Sequence, residues 1–185
     1  MQNFKTVDSS RISISELMKP IHSNFGGKIH GGYILSLMDQ IAFACASKHS
    51  KAYCVTASVD TVDFLSPIEI GDLVTMKASI NYVGRTSMVV GIRVESENIT
   101  TGQVMHCNSS YFTMVAKDET GKSVEVPGLI VNDEKEVKRF LKAIKRNETK
   151  RMRQKEFDSA SFSLDNYLEQ LKDYNVKISL PESSD

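Results

Sequence analysis

Cysteine is scarce and unpatterned, with Cys45, Cys54 and Cys107 lying far apart in a chain of 185 residues. An odd, widely spaced set supports neither a disulfide framework nor a zinc site, so each cysteine reads as a small buried hydrophobe. Neither sign of charge is in excess, at 23 basic and 23 acidic side chains. No whole-molecule field therefore draws the protein to nucleic acid or to a membrane. No apolar run approaches the ~20 residues that span a bilayer. The opening MQNFKTVDSSRISISE lacks the apolar stretch of a signal peptide. Together these absences lead us to expect a soluble cytoplasmic protein. Prolines number only four, and Pro20, Pro67 and Pro127 serve as punctuation between patterned segments.

Several catalytic signatures are also missing. No serine sits in a Gly-x-Ser-x-Gly elbow, no cysteine has a histidine at motif spacing, and no Walker or dinucleotide glycine fingerprint occurs. No His/Cys/carboxylate cluster has metal-ligand spacing. The expectation is chemistry without a metal or other cofactor.

What is present has a clear order. Arg11 to about Met18 alternates weakly, as a first strand stopped by Pro20. The loop HSNFGGKIHGG follows, with Gly26, Gly27, Gly31 and Gly32 close together, which marks a shaped backbone. From about Gly32 to Ser47 the pattern is helical, and apolar residues cover nearly the whole circumference, as in a helix buried by its surroundings. Four strand-like runs come next: Tyr53–Leu65, Leu73–Val83, Ser87–Glu97 and Gln103–Val115. In the second, Val74, Met76, Ala78, Ile80 and Tyr82 share one face. In the third, Met88, Val90, Ile92 and Val94 point inward. One buried helix followed by consecutive strands predicts an α+β fold, a curved sheet wrapped around a helix. We expect this domain to occupy residues 1–128, with 129–185 as a charged helical extension. Asp133 to Glu136 resembles a capping box there, and Val137, Phe140, Leu141 and Ile144 form an amphipathic stripe. Lys145–Lys155 is strongly basic, and Leu164, Tyr167, Leu168 and Leu171 repeat helical spacing.

Asp39 is the most informative polar residue, because a carboxylate on an otherwise apolar helix is costly unless paired or wetted. It reads either as part of a wetted stripe with Ser36 and Gln40 or as a reactive group. At ~100° per residue, Gly32 and Asp39 fall within about 20° on the helix face, though about 10 Å apart along the axis. Glycines at a helix start present free N–H groups at its positive end, a ready oxyanion site. A carboxylate with such donors makes a plausible acyl-transfer pair. Asn24 reads as a turn former or a site residue, and His30 as a general base or a loop residue. Gly84, Arg85, Thr86 and Ser87 form a tight strand connection, either a plain hairpin turn or a phosphate contact through the arginine fork and the hydroxyls. Asp60 and Asp63 sit three apart on a strand, which sends them to opposite faces and weakens any carboxylate pairing.

Taken in order, NFGGKIHGGYILSLMD, VTASVDTVDFLSPIEIGD and INYVGRTSMVV resemble the bacterial and brain-type acyl-CoA hydrolases of the hotdog superfamily. The resemblance runs from about Arg11 to Pro127. It implies an antiparallel sheet wrapping one helix, paired into double-hotdog dimers that assemble to a hexamer, with active sites between subunits. It implies hydrolysis of fatty acyl-CoA to a carboxylic acid and coenzyme A. Asp39 matches the family's catalytic carboxylate, and Asn24 the loop asparagine supplied by the opposing subunit. Gly31 or Gly32 matches the N–H that polarises the carbonyl. The Gly84–Ser87 turn, with His30, matches positions near the bound acyl-CoA. His30 departs from the aromatic or cysteine often found at its position and resembles the phenylacetate-type branch.

Three other readings compete. A hydratase or dehydratase on this fold would present a catalytic histidine deeper in the helix region, where His30 is the only nearby candidate. A non-catalytic acyl-CoA sensor on this fold needs no Asp39. Nucleic-acid binding through Lys145–Lys155 lacks interleaved aromatics and overall basic charge, so that run reads as a solvated face, a subunit contact or a surface near the coenzyme phosphates.

Overall fold

The computed structural model describes residues 3–160 and 170–177. The chain forms two compact units, Met1–Lys145 and Arg146–Asp185. In the first, one helix, α1 (Gly31–Ser50), lies in the curve of a five-stranded antiparallel sheet. The sheet strands are β2 (Ile12–Leu17), β3 (Tyr53–Val59), β4 (Leu73–Val83), β5 (Ser87–Asn98) and β6 (Gln103–Lys117), ordered β2-β4-β5-β6-β3. This is the expected hotdog architecture. The alternating apolar residues of β4, β5 and β6 meet Ile34, Leu37, Met38, Ile41, Ala42, Cys45 and Ala46 of α1 in one core. All three cysteines are free and buried in it, as their spacing suggested.

Two short strands had no signal in the sequence. β1 (Phe4–Thr6) pairs in parallel with β7 (Gly128–Ile130), placing Phe4 opposite Gly128. The Phe4 ring lies over Gly128 where a Cβ would otherwise stand, so a side chain there would displace the ring. Each strand has only three residues, too few for alternation to be read.

Bulges account for two further departures. Tyr82 leaves the inner face assigned to it, because the ladder between β4 and β5 shifts between Ile80 and Tyr82. One extra residue, Asn81, reverses the facing of everything beyond it. Tyr82 consequently points outward and packs on Phe140 at 5.1 Å between ring centroids, while Val83 turns toward the core. The run after Tyr53 likewise ceases to be a strand at Val59, beyond an irregularity between Thr56 and Ser58.

In the C-terminal part, α2 covers Glu134–Ser159. Asp133 accepts from the Glu136 N–H (2.8 Å), and the Glu136 carboxylate accepts from the Asn132 N–H (2.9 Å), a capping box displaced by one residue at its return bond. Glu136 also takes Arg11 at 3.2 Å. Because Glu136 faces inward, the buried stripe is Glu136 and Ala143 with half-buried Phe140, while Val137 and Leu141 are exposed. Of the later helical repeat, Leu164, Tyr167 and Leu168 lie outside the described residues, and Leu171 sits in a 3-10 turn, Gln170–Asp173.

His49, near the end of α1, is fully buried. Its Nε2 donates to the Pro127 carbonyl at 3.1 Å, and its Nδ1 has no partner among the described residues. Burial lowers its pKa below 6.5, the Pro127 bond opposes this, and the Lys5 charge adds to the lowering. Lys5 also donates to the His49 carbonyl. The unfolded chain binds this proton more readily than the folded one, so stability falls as pH drops from about 6.5 toward the folded-state pKa. Melting temperature measured from pH 7.5 to 5 should decline in the native protein and decline less in His49→Gln. Equal slopes would contradict this.

Candidate active site

The helix that carries Asp39 is not enclosed on all sides by its own chain. Ser36, Asp39, Gln40 and Phe43 are exposed, so the helix that is apolar around nearly its whole circumference has one open stripe, and Asp39 lies on it beside Ser36 and Gln40. The stripe runs beside β3, one of the two edge strands of the sheet. Phe43 meets Tyr53 edge-on at 5.7 Å between centroids, and four residues earlier Asp39 meets Thr56. The Thr56 hydroxyl donates to Asp39 Oδ1 at 2.5 Å. A carboxylate only accepts, so the direction of this bond is fixed, and Oδ2 remains open for a water molecule. Gln40 turns away to donate to the Ser36 hydroxyl.

At the other end of α1, His30 is the N-cap. Its Nδ1 accepts from the Gly32 N–H at 2.9 Å, and its carbonyl takes the Tyr33 N–H at 3.0 Å. This bond commits the lone pair of His30 Nδ1 to the helix start and leaves the Nε2 side of an exposed ring facing outward. The same bond occupies the donor on Gly32 and leaves the Gly31 N–H as the first-turn donor with no acceptor among the described residues. Both glycines sit close to an aromatic ring, which would have to shift to admit a side chain. A Cβ on Gly32 would lie 2.8 Å from the His30 ring, and one on Gly31 would lie 3.0 Å from the ring of Phe64.

The loop before the helix is stiffened on several sides. Asn24 Oδ1 accepts from the Gly26 and Lys28 N–H groups at 2.9 and 3.2 Å, which makes it the turn former. Its amide nitrogen is uncommitted among the described residues, so a site role is compatible with that turn. His22 stacks on Tyr33 at 3.9 Å, and the Tyr33 hydroxyl donates to Glu16 at 2.6 Å, which raises the Tyr33 pKa to about 12. The loop thus holds Ile21 and Phe25 outward, at 85% and 114% exposure. Two large apolar side chains in that state suit a surface that another subunit covers.

The Gly84–Ser87 turn closes the β4–β5 hairpin. The Gly84 N–H donates to the Ser87 carbonyl at 2.7 Å, and the Arg85 side chain is exposed. Ser87 pairs with Val115, which pairs with Val55. Two strand spacings of ~4.8 Å put this turn about 10 Å across the sheet from the Thr56 row. Among the described residues, no group of three His, Cys, Asp or Glu side chains is placed to hold a metal.

Thr56 was missed in the sequence reading. Its hydroxyl is one among several on a Val/Thr-rich strand, and only the contact with α1 singles it out.

Comparison with known proteins agrees with this picture. Residues 26–103 match the model of the thioesterase superfamily. Protein VdlD of Helicobacter pylori is 45% identical over 77% of this chain and 82% of its own. The uncharacterized acyl-CoA thioester hydrolase YkhA of Bacillus subtilis is 36% identical over 79% and 82%. Among solved structures, an apo-hexameric acyl-CoA thioesterase superposes with a TM-score of 0.80 at 38% identity, covering 82% of this chain and 97% of the other. The acyl-CoA hydrolase of Staphylococcus aureus, solved with butyryl coenzyme A and coenzyme A, gives 0.77 at 31% identity over 91% and 99%. Three variants of that enzyme each replace one residue by alanine: an Asn, an Asp and a Thr. In that chain these stand 15 and 17 positions apart, the same separations as Asn24, Asp39 and Thr56 here. The fold, the placement of a carboxylate on the central helix and the extent of these matches lead to one conclusion: the chain belongs to the acyl-CoA thioester hydrolases of the thioesterase superfamily.

Proposed function

We propose that this protein hydrolyses fatty acyl-CoA to a free carboxylic acid and coenzyme A, with Asp39 as the reactive carboxylate. The observation that carries the reading is the Asp39–Thr56 pair on the open stripe of α1. A thioester has a good thiolate leaving group, so a light apparatus suffices and no cofactor is required. Oδ2 of Asp39 takes the proton from a water molecule attacking the carbonyl carbon, or attacks that carbon itself to give a mixed anhydride that water then hydrolyses, releasing the acid and restoring Asp39. On either route the C–S bond breaks, and the departing thiolate is protonated. The Gly31 N–H, at the positive end of α1, stabilises the oxyanion. Thr56 orients Asp39, and the Asn24 amide completes the site.

Gly31 and Asp39 are eight residues apart on one helix, which is about 12 Å along its axis. That gap exceeds what one carbonyl and one water fill, so the two groups serve one substrate only when they come from different copies. Dimers paired through the β3 edge and the outward-held loop, assembled to a hexamer, meet this requirement. The hexameric state of related thioesterases supports it.

Arg85 binds a phosphate of the coenzyme. A cleft of about 800 Å³ at the same end of the sheet carries both signs of charge, with Lys51, Lys117, Asp118 and Glu119 beside Tyr53 and Val55. Phosphate binding persists unchanged through the reaction, so Arg85→Ala should raise KM roughly tenfold and leave kcat within about twofold. Equal losses in kcat and kcat/KM would contradict the role. We further place the thioesterase module at residues 1–128, treat 129–185 as an extension, and place the protein in the cytoplasm. Among the described residues no helix is long and apolar enough to cross a membrane.

Thiol release measured across short, medium and long acyl-CoAs tests the function. Turnover of at least one class is expected, and no turnover across the series would overturn the proposal.

A further inference from the structure

Between the end of β3 and the turn at Pro67, the chain does not continue the ladder. It forms a strap, residues 60–65, tied to β6 largely by side chains. The Asp60 N–H donates to the Tyr111 carbonyl and the Leu65 N–H to the Cys107 carbonyl, both at 2.9 Å. Between these, the fully buried Asn108 donates its amide N–H to the Asp63 carbonyl at 2.8 Å, and the buried Ser110 hydroxyl reaches the Asp60 and Thr61 carbonyls at 3.4 and 3.3 Å. Polar side chains on the inner face of a sheet are costly unless they are used. Here they fix the backbone on both sides of one residue, Phe64.

Phe64 stands over the start of α1. The tip of its ring lies 3.0 Å from where a Cβ on Gly31 would be, with the next ring atoms at 3.3 and 3.6 Å. Despite that contact the side chain is 48% exposed. A half-exposed aromatic ring on an anchored backbone thus lies beside the Gly31 N–H at the start of the helix. Any carbonyl oxygen accepting from the Gly31 N–H brings its acyl carbons close to this ring.

We infer that Phe64 is a specificity-determining residue, the wall against which the first carbons of the acyl group pack. This rests on the reading of Gly31 as the carbonyl-polarising donor. A flat apolar wall admits an unbranched methylene next to the carbonyl and leaves no room for a branch there. It also offers nothing to a charged substituent. Apolar pockets discriminate a single methyl group by ~10–200-fold, so the ring acts strongly only on structure at the first carbons and weakly on total chain length.

The test compares butyryl-CoA with isobutyryl-CoA, which differ by a branch beside the carbonyl, using the native protein, Phe64→Ala and Phe64→Leu. The native enzyme should favour butyryl-CoA in kcat/KM. In Phe64→Ala that preference should shrink by roughly tenfold or more, chiefly through gain or retention of the branched substrate, with Phe64→Leu between the two. Thermal melting separates this from loss of fold, and the leucine variant keeps an apolar contact if the alanine variant is unstable. A preference unchanged in both variants, or a parallel fall for both substrates, would overturn the role of Phe64 while leaving the thioesterase reading intact. A native protein inactive on every acyl-CoA would overturn both.

Discussion

Asp39→Asn should lower kcat for acyl-CoA hydrolysis by roughly 10²–10⁴-fold, the usual weight of a positioned acid–base group. The amide keeps the shape of the side chain and can still pair with Thr56, but it can neither accept a proton from water nor attack a carbonyl carbon. Asp39 is exposed in the single chain and its hydrogen-bond partner is a lone hydroxyl, so the substitution removes no buried contact. Melting temperature and coenzyme A affinity should therefore stay close to those of the native protein. Retention of near-native turnover would refute the assignment. Loss of coenzyme A binding together with turnover would point to a structural role instead.

A second large effect follows from the distance along α1. If Asp39 works with Asn24 of the partner subunit, two inactive proteins should rescue one another. An Asn24→Ala chain still carries Asp39, and an Asp39→Ala chain still carries Asn24. A dimer of one of each therefore has one intact site and one site lacking both groups, because a two-fold interface presents the same surfaces twice. Random pairing makes half the dimers mixed, so co-expression should restore about a quarter of native activity. With three dimers in each hexamer, nearly every assembly carries both chains, so copies tagged differently and purified through both tags should also show about a quarter. No recovery in doubly tagged material would place both groups in the same chain.

Much of the fold was legible because its signals are strong and local. β4 and its turns were readable from a clean alternation bounded by Gly71-Asp72 and Gly84, and α1 from its length and apolar density. What failed did so for particular physical reasons. Tyr82 was placed inward because a period-2 pattern cannot reveal a bulge at Asn81, and the bulge changes only what lies beyond it. β1 and β7 carry too few residues to show a period. The stripe of α2 was misplaced because Glu136, a charged residue, is buried by its pairing with Arg11 and the Asn132 N–H.

The candidate site was partly legible for a different reason. Asp39 stood out as a charge in an apolar helix, and the paired glycines stood out as a shaped helix start. Pattern alone could not decide between Gly31 and Gly32, because the deciding bond comes from His30 folding back onto its own helix. Nor could it find Thr56 or Phe64, whose importance lies in contacts with α1 made from 17 and 33 residues farther along the chain than Asp39 and Gly31. The apolar pattern all round α1 does have a use. Its open stripe, with Phe43 and the outward-held Phe25 and Ile21, is a surface suited to a second copy rather than to water.

The most direct test is a structure of the assembled protein with coenzyme A bound. The account predicts that the Asp39 carboxylate lies in a cleft shared by two copies, with the coenzyme sulfur beside it and the Asn24 loop of the partner subunit closing the other side. An assembly in which Asp39 faces open solvent, remote from the sulfur and from any second copy, would contradict it.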